Sequence, residues 1–180
     1  MQSKNNEIEV KYKITNDQLK KCLLILAELG FINSSNAELV DSFLEIEKTE
    51  LGWNFVRLRS SDGKFIQTAK KWEMVSGVKC RIEDEGEINE LEYKKLKENS
   101  KITYNKIRND YKGKFDGMEV TVSFDSIDED VFIEAETFGE LLETDKIKLK
   151  LKRYLNSNLG IDTQKEAPTM LDYVLSKQNK

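Results

Sequence analysis

Charged and apolar residues alternate one by one along much of this chain, and this alternation constrains the fold more than any other feature. Successive side chains of a β-strand point to opposite faces, so residues two apart share a face. In residues 6–14, one face carries Glu7, Glu9, Lys11 and Lys13. The other face carries Ile8, Val10, Tyr12 and Ile14. The pattern therefore predicts a strand with one charged and one apolar face.

The same alternation, broken by turn residues, predicts seven further strands. They cover residues 39–47, 53–60, 64–72, 77–86, 102–111, 115–125 and 130–138. Apolar stripes predict helices over 16–29, capped by Asn16, and 144–159, with weaker patterns over 91–99 and 169–177. About eight strands close a small barrel. We therefore predict one α+β domain over residues 1–180, a closed eight-stranded antiparallel β-barrel (a tunnel) with helices packed outside.

Other strands also collect their charged side chains on one face. These faces carry Arg57 and Arg59; Arg81, Glu83 and Glu85; Lys106 and Arg108; Glu119, Thr121, Ser123 and Asp125; and Glu134 and Glu136. A hairpin adds one more residue, because Asp62-Gly63 suits a two-residue turn. Counting outward from that turn sets Lys70 opposite Phe55, on the face of Arg57, and turns Lys71 away. A bulge in the turn would reverse this and put Lys71 on the charged face.

A solvated polar face is the simplest explanation for any one of these strands. Taken together, three features favour an enclosed charged face. The helices need an apolar sheet face to cover. Four of the five arginines lie on charged strand faces, although the chain has 29 Lys and Arg in total. A closed barrel would also bring acidic first and last strands together, which is costly unless cations neutralise them.

Composition excludes several classes of protein. The chain has no histidine, which rules out Ser-His and Cys-His catalysis and most zinc sites. The net charge of −4 offers no bulk attraction to nucleic acid or to a membrane surface, and we expect neither as a partner. No apolar run has the length of a membrane span, the first ten residues lack a signal-peptide core, and the two cysteines have no metal spacing. We expect a reduced, cytoplasmic protein.

The charged faces hold two kinds of group that suit one ligand. Arginine binds phosphate oxygens through a planar group with several donors. Clustered carboxylates hold hard cations such as Mg²⁺ or Mn²⁺, which also bridge to phosphates. Metal-assisted phosphoryl chemistry needs no histidine. The pattern therefore predicts a site for phosphate groups together with divalent metal ions.

These residues resemble the motifs of the CYTH superfamily, the triphosphate tunnel metalloenzymes. Glu7-Ile-Glu9-Val-Lys11 resembles its E-x-E-x-K signature. Further matches, in order, are Arg57-Leu-Arg59, Lys70, Arg81-Ile-Glu83, Lys106-Ile-Arg108, Asp125 and Phe132-Ile-Glu134-Ala-Glu136. The matches cover most of the chain, from residue 7 to residue 136. One departure is at the C-terminus, where Pro168-Thr169-Met170-Leu171 replaces the Ser-Tyr motif of class IV adenylyl cyclases and thiamine triphosphatases.

The resemblance implies a role for each motif residue. It implies metal ligands at Glu7, Glu9, Asp125, Glu134 and Glu136. It implies phosphate contacts from Lys11, Arg57, Arg59, Lys70 and Arg108. Glu9, Arg57 and Arg59 are the expected catalytic residues. For six more residues a site role and a structural salt bridge are equally open: Lys13, Arg81, Glu83, Glu85, Lys106 and Glu119.

Three functions are compatible with these residues. The leading hypothesis is a metal-dependent hydrolase of tripolyphosphate, thiamine triphosphate or a nucleoside triphosphate. The second is a class IV adenylyl cyclase, which would convert ATP to cyclic AMP and pyrophosphate in the same tunnel. The third is a non-catalytic polyphosphate-binding module, which the large carboxylate set disfavours. The resemblance also makes a homodimer plausible.

Overall fold

The structure is a computed structural model that describes residues 6–75 and 77–178. The chain divides into two compact units. The first unit comprises Met1–Asn36 and Ile107–Lys180, and the second comprises Ala37–Lys106. Each unit is described by itself.

The described residues form eight strands and four helices. The strands are β1 (Asn6–Ile14), β2 (Ile32–Thr49), β3 (Gly52–Ser61), β4 (Lys64–Val75), β5 (Val78–Glu87), β6 (Ile102–Phe115), β7 (Met118–Ile127) and β8 (Asp130–Gly139). The helices are α1 (Asn16–Glu28), α2 (Glu90–Lys97), α3 (Thr144–Leu159) and α4 (Met170–Gln178), with a 3₁₀ turn at Leu141–Glu143. None of the described helices combines the length and the apolar character needed to cross a membrane.

Strand pairing is antiparallel in both units. In the first unit the strands follow the order β1-β8-β7-β6 and then the beginning of β2. In the second, the beginning of β6 is followed by β2-β3-β4-β5. The described pairings include no ladder between β1 and β5, whose neighbours are β8 and β4 respectively. The prediction of an α+β fold with eight antiparallel strands is confirmed, but the closed barrel is not shown.

The apolar core of the first unit lies between the strands and two helices. One face of β1 contributes Ile8, Val10 and Tyr12, and β7 contributes Val120, Val122 and Phe124. Helices α1 and α3 cover these residues with Cys22, Leu26, Leu151, Tyr154 and Leu155. The alternation of β1 and β7 thus buries the apolar face and turns the charged face away from the helices. Burial of this kind stabilises by roughly 25 cal/mol per Å² of apolar surface.

The helix ends follow local signals. Thr15, not the predicted Asn16, caps α1, because its side chain accepts from the backbone N–H of Gln18 while the Gln18 side chain accepts from Thr15. Helix α3 spans the predicted residues and ends at Gly160, whose φ of 66° suits glycine. The two shorter helices lie within two residues of their predicted bounds.

The β3–β4 hairpin of the second unit confirms the prediction made from its turn. Asp62 and Gly63 have φ of 48° and 76°, as a two-residue turn of this type requires. Ser61 pairs with Lys64, Arg57 with Thr68, and Phe55 with Lys70. Helix α2 packs against this hairpin through Tyr93, whose ring lies 4.7 Å from that of Phe65.

Strand β2 is the element that departs most from the prediction. It begins at Ile32, seven residues before the predicted start, and it runs to Thr49. Its pairing with β3 is also irregular, because the register shifts by one residue between Phe43 and Ile46. A bulge of this kind changes which residues lie opposite each other on either side of it.

Candidate functional site

The first unit gathers carboxylates on the charged face of β1, β7 and β8. We call Glu7, Glu9, Asp125, Glu134 and Glu136 the acidic cluster. Antiparallel pairing places Glu9 directly opposite Glu136, and Lys11 opposite Glu134. Ser123 lies on the other side of Glu134, and Arg108 lies opposite Asp125. The structure therefore brings together in one unit the acids that the sequence placed on separate strands.

Two cations neutralise part of the acidic cluster. Arg108 donates to Asp125 twice, from Nε to Oδ1 at 2.6 Å and from Nη2 to Oδ2 at 2.7 Å, and reaches Glu134 at 3.5 Å. Lys11 forms an ion pair with Glu134. Burial alone would lower the pKa of Arg108, but Glu134 and Asp125 together raise it well above its usual value. Asp125 and Glu134 are thus held by cations of the same face.

Glu136 is the acid of this cluster whose negative charge is least favoured by its surroundings. Burial raises its pKa to about 7, and the neighbouring carboxylates of Glu134, Glu7 and Glu9 add to that effect. A carboxylate held among others resists ionisation because like charges repel at short range. A bound cation would relieve this repulsion.

The acidic cluster fits a hard divalent cation in the chemistry of its donors. All five side chains offer carboxylate oxygens, which Mg²⁺ and Mn²⁺ prefer. Within the described parts of the chain, no three such acids have side chains already arranged as a ligand set. Binding would therefore require side-chain rotation, since two of the acids now face Lys11 and Arg108.

The second unit gathers cations on the corresponding face of β3 and β4. We call Arg57, Arg59 and Lys70 the basic cluster. The Arg59 side chain is tied to Asp41 of β2, with Nε donating to Oδ1 at 2.7 Å and Nη2 to Oδ2 at 2.8 Å. Burial alone would raise the pKa of Asp41, but the hydrogen bonds and charge of Arg59 hold it well below its usual range.

Arg57 makes longer contacts with its polar and acidic partners than Arg59 does. Its Nη2 donates to the Thr68 hydroxyl at 3.2 Å and lies 3.8 Å from Glu85. Its Nε is buried and has no hydrogen-bond partner among residues 6–75 and 77–178. Burial and the charge of Arg59 lower the pKa of Arg57, although Asp41 opposes them. A buried guanidinium donor left without an acceptor is a ready contact for an anion.

Lys70 lies where the hairpin count placed it. It is buried and forms an ion pair with Glu83 of β5 at 2.7 Å, while Lys71 is exposed on the opposite face. The basic cluster therefore contains one cation bound to a buried acid, one bound to a partly exposed acid, and Arg57, whose contacts are longer.

The sequence of residues 5–168 matches the CYTH domain. The chain belongs to the CYTH family. Members of this family are metal-dependent enzymes that bind triphosphate substrates. No curated protein sequence matches the chain.

Solved structures share the CYTH fold with this chain at low sequence identity. A candidate adenylate cyclase from Vibrio parahaemolyticus is 17% identical, with 95% of this chain and 98% of that one covered and a TM-score of 0.72. A conserved hypothetical protein from Pyrococcus furiosus is 21% identical, with 94% and 99% covered and a TM-score of 0.71. A candidate adenylyl cyclase from Hippeastrum with a dominant triphosphatase activity is 17% identical, with 95% and 96% covered and a TM-score of 0.64.

The structure distinguishes among the six residues for which a site role and a structural salt bridge were both open in this CYTH chain. Lys13 is half exposed and binds Asp130 at 2.8 Å, beside the Tyr173 hydroxyl of α4, which supports a structural salt bridge. Glu119 is exposed and lies 3.8 Å from Lys114. Arg81 lies over the rings of Trp72 and Phe55, at 5.1 and 5.8 Å. Glu83 and Glu85 face the basic cluster, and Lys106 is buried.

Sequence reasoning missed Asp41, which contacts the basic cluster, and Tyr104, which contacts Asp41. Asp41 binds Arg59, and the Tyr104 hydroxyl donates to Asp41 Oδ2 at 3.1 Å. Counting outward from Thr49 and Gly52 would have set Arg59 opposite Ser42, because the bulge in β2 is invisible in the sequence. The one available signal was Asp41 itself, an acid within a largely apolar stretch of β2. In the first unit Asp110 was missed as well, and it accepts from the Ser123 hydroxyl at 2.7 Å.

Proposed function

We propose that this CYTH protein is a metal-dependent hydrolase of a triphosphate compound, namely tripolyphosphate, thiamine triphosphate or a nucleoside triphosphate. The observation that carries the proposal is a charge imbalance of opposite sign in the two units. The first unit holds Glu136, a carboxylate whose pKa is raised to about 7 by burial and, to a lesser extent, by the neighbouring carboxylates. The second holds Arg57, a buried guanidinium with an unused donor in the described structure. A cation suits the former and a phosphate the latter.

The proposed roles follow from the chemistry of each cluster. The acidic cluster would hold Mg²⁺ or Mn²⁺ through Glu7, Glu9, Asp125, Glu134 and Glu136. A divalent cation at such a site neutralises phosphate oxygens and lowers the pKa of a bound water. Lys11 and Arg108, now paired with Glu134 and Asp125, would turn to phosphate oxygens when a cation takes over those acids. The exchange keeps every charge compensated.

Arg57 and Arg59 would stabilise negative charge that develops on the transferred phosphoryl group, and Lys70 would hold a neighbouring phosphate. Glu9 would orient the attacking water and accept its proton. Its place opposite Glu136 supports this role, because the two carboxylates would lie beside the same bound cation.

One incubation series tests the proposal. The protein is supplied with tripolyphosphate, thiamine triphosphate and ATP, each with Mg²⁺ or Mn²⁺, and the products are separated by chromatography. Orthophosphate with the matching diphosphate supports the hydrolase. Cyclic AMP with pyrophosphate would instead establish the cyclase named for two of the structural neighbours. Binding of tripolyphosphate without turnover of any substrate would leave a polyphosphate-binding module.

A further inference from the structure

Asp41 is a fully buried carboxylate that contacts the basic cluster through Arg59. The roles proposed above do not use it. Its side chain is 0% exposed, and it lies opposite Arg59 in the pairing of β2 with β3. Burying an ionised acid costs roughly several kcal/mol of folding free energy unless the acid is ion-paired and hydrogen-bonded. Such a group is retained at this cost only where its contacts compensate for it.

Both oxygens of Asp41 are occupied. Oδ1 accepts from Arg59 Nε at 2.7 Å, and Oδ2 accepts from Arg59 Nη2 at 2.8 Å and from the Tyr104 hydroxyl at 3.1 Å. The bidentate contact fixes the plane of the guanidinium, because two parallel hydrogen bonds allow it only one orientation.

Tyr104 is in turn fixed by packing. Its ring stacks on that of Phe43 at 6.0 Å and 20°, and Phe43 is itself buried against Phe55 at 4.9 Å. Burial and the charge of Asp41 raise the pKa of Tyr104 well above its usual value, so its hydroxyl stays a donor. Asp41 therefore positions Arg59, and the hydroxyl of Tyr104, whose ring is held in an aromatic stack, positions Asp41.

The neighbouring arginine has no such support. Arg57 reaches Thr68 and Glu85 by contacts of 3.2 and 3.8 Å, and Thr68 itself donates to Glu85 at 2.8 Å. The side chain of Glu85 is 48% exposed, so solvent screens part of its charge, whereas the Asp41 side chain is fully buried and is not screened by solvent. The two arginines thus differ in how far a nearby acid neutralises them and in how firmly their guanidinium groups are oriented. Their positions two residues apart on one strand do not reveal this difference.

We propose that Asp41, held by Tyr104, is a positioning residue that fixes the guanidinium of Arg59 and limits the ground-state affinity of the basic cluster for phosphate anions. The inference rests on the proposed function and refines it: of the two arginines given a transition-state role there, Arg57 would mainly hold the triphosphate and Arg59 would act in the transition state. Two uncompensated guanidinium groups would bind substrate and product alike, which does not accelerate the chemical step. One oriented and neutralised guanidinium can respond where new charge develops.

Asp41→Asn tests the proposal, because it keeps the size of the side chain and removes its charge. A unit charge about 10 Å from an anion, at an effective dielectric constant near 20, changes affinity about tenfold. We expect metal-free Asp41→Asn to bind tripolyphosphate about tenfold more tightly than wild type by calorimetry. We also expect kcat with metal to fall by about tenfold while KM falls or stays the same. Asp84→Asn, which removes an exposed acid of β5, is the matched control and should change neither quantity.

Tyr104→Phe provides a second test that depends less on folding. It retains the stack with Phe43 and the charge of Asp41 but loses the hydrogen bond to Oδ2. We expect unchanged tripolyphosphate affinity and a kcat lowered about threefold. Thermal unfolding of each variant confirms that it is folded. Unchanged or weaker binding by folded Asp41→Asn would overturn the proposal, and so would an unchanged kcat in Tyr104→Phe if Asp41→Asn does not fold.

The same measurements separate this inference from the proposed function. If wild type hydrolyses a triphosphate and folded Asp41→Asn leaves its affinity unchanged, the inference fails and the function stands. If wild type hydrolyses none of the substrates, the proposed function fails, and the transition-state part of the inference fails with it. Tighter binding of tripolyphosphate by Asp41→Asn would then still support the part that concerns anion affinity.

Discussion

Replacing Glu136 with glutamine should stabilise the metal-free protein at neutral and alkaline pH. The pKa of Glu136 is about 7 in the folded chain, against the ordinary 4.5. Each tenfold change in an acid dissociation constant is worth about 1.4 kcal/mol, so ionised Glu136 destabilises the fold by about 3 kcal/mol. Side-chain relaxation reduces this figure, and about 2 kcal/mol is a realistic expectation for Glu136→Gln at pH 8.

The sign of the pH dependence follows from the raised pKa. Below pH 4.5 the side chain is protonated in both the folded and the unfolded chain, and wild type and Glu136→Gln should be equally stable. As the pH rises towards 7, the unfolded chain ionises freely and the folded chain does not, so wild type loses stability. The advantage of the variant should therefore grow between these limits and stay constant above them.

Urea unfolding in EDTA at several pH values measures this difference, and Glu140→Gln, at an exposed position, is the matched control. Added Mg²⁺ or Mn²⁺ should then raise the stability of wild type and leave that of Glu136→Gln nearly unchanged. A variant that is less stable than wild type at pH 8 in EDTA would refute the claim that burial and neighbouring carboxylates destabilise ionised Glu136.

Three further predictions concern single residues. Glu9→Gln should abolish hydrolysis of the preferred triphosphate in a product assay, whereas Lys71→Ala, on the opposite face, should stay close to wild type; a fully active Glu9→Gln would contradict the metal assignment. Arg57→Ala should weaken tripolyphosphate binding by about 2 kcal/mol in calorimetry, because a charge-assisted hydrogen bond is lost, and the exposed Arg153→Ala should not. Leu151→Ala, at a fully buried position of α3, should cost about 3 kcal/mol in urea unfolding.

The faces of the strands could be predicted from the sequence, because alternation depends only on local geometry. Glu7, Glu9 and Lys11 share a face whatever the rest of the chain does. The β3–β4 pairing was also predictable, since a two-residue turn without a bulge fixes the register, and the structure shows that regular pairing. The position of Lys70 followed from these two facts alone.

Closure and the bulge in β2 could not be predicted in the same way. Eight alternating segments are compatible with a closed barrel, but a pattern of faces contains no information about whether the first and last strands pair. The register shifts between Phe43 and Ile46, and no glycine or other turn residue marks this bulge in the sequence. The helix cap at Thr15 was missed for a simpler reason, since Asn16 is an equally good capping residue one position later.

The different surroundings of Arg57 and Arg59 show where the limit of sequence reasoning lies. Both residues lie on one face of one strand and both match the same motif, so the sequence predicts one role for both. Their acidic partners come from strands on opposite sides of β3: Asp41 from β2, beyond the bulge, and Glu85 from β5, on the far side of β4. A face is a local property of a strand, whereas the charge that a side chain experiences depends on the register of its neighbours. In this chain the motif predicts the same role for both arginines, whereas the register gives Arg59 a buried acidic partner and leaves Nε of Arg57 without a hydrogen-bond partner among residues 6–75 and 77–178.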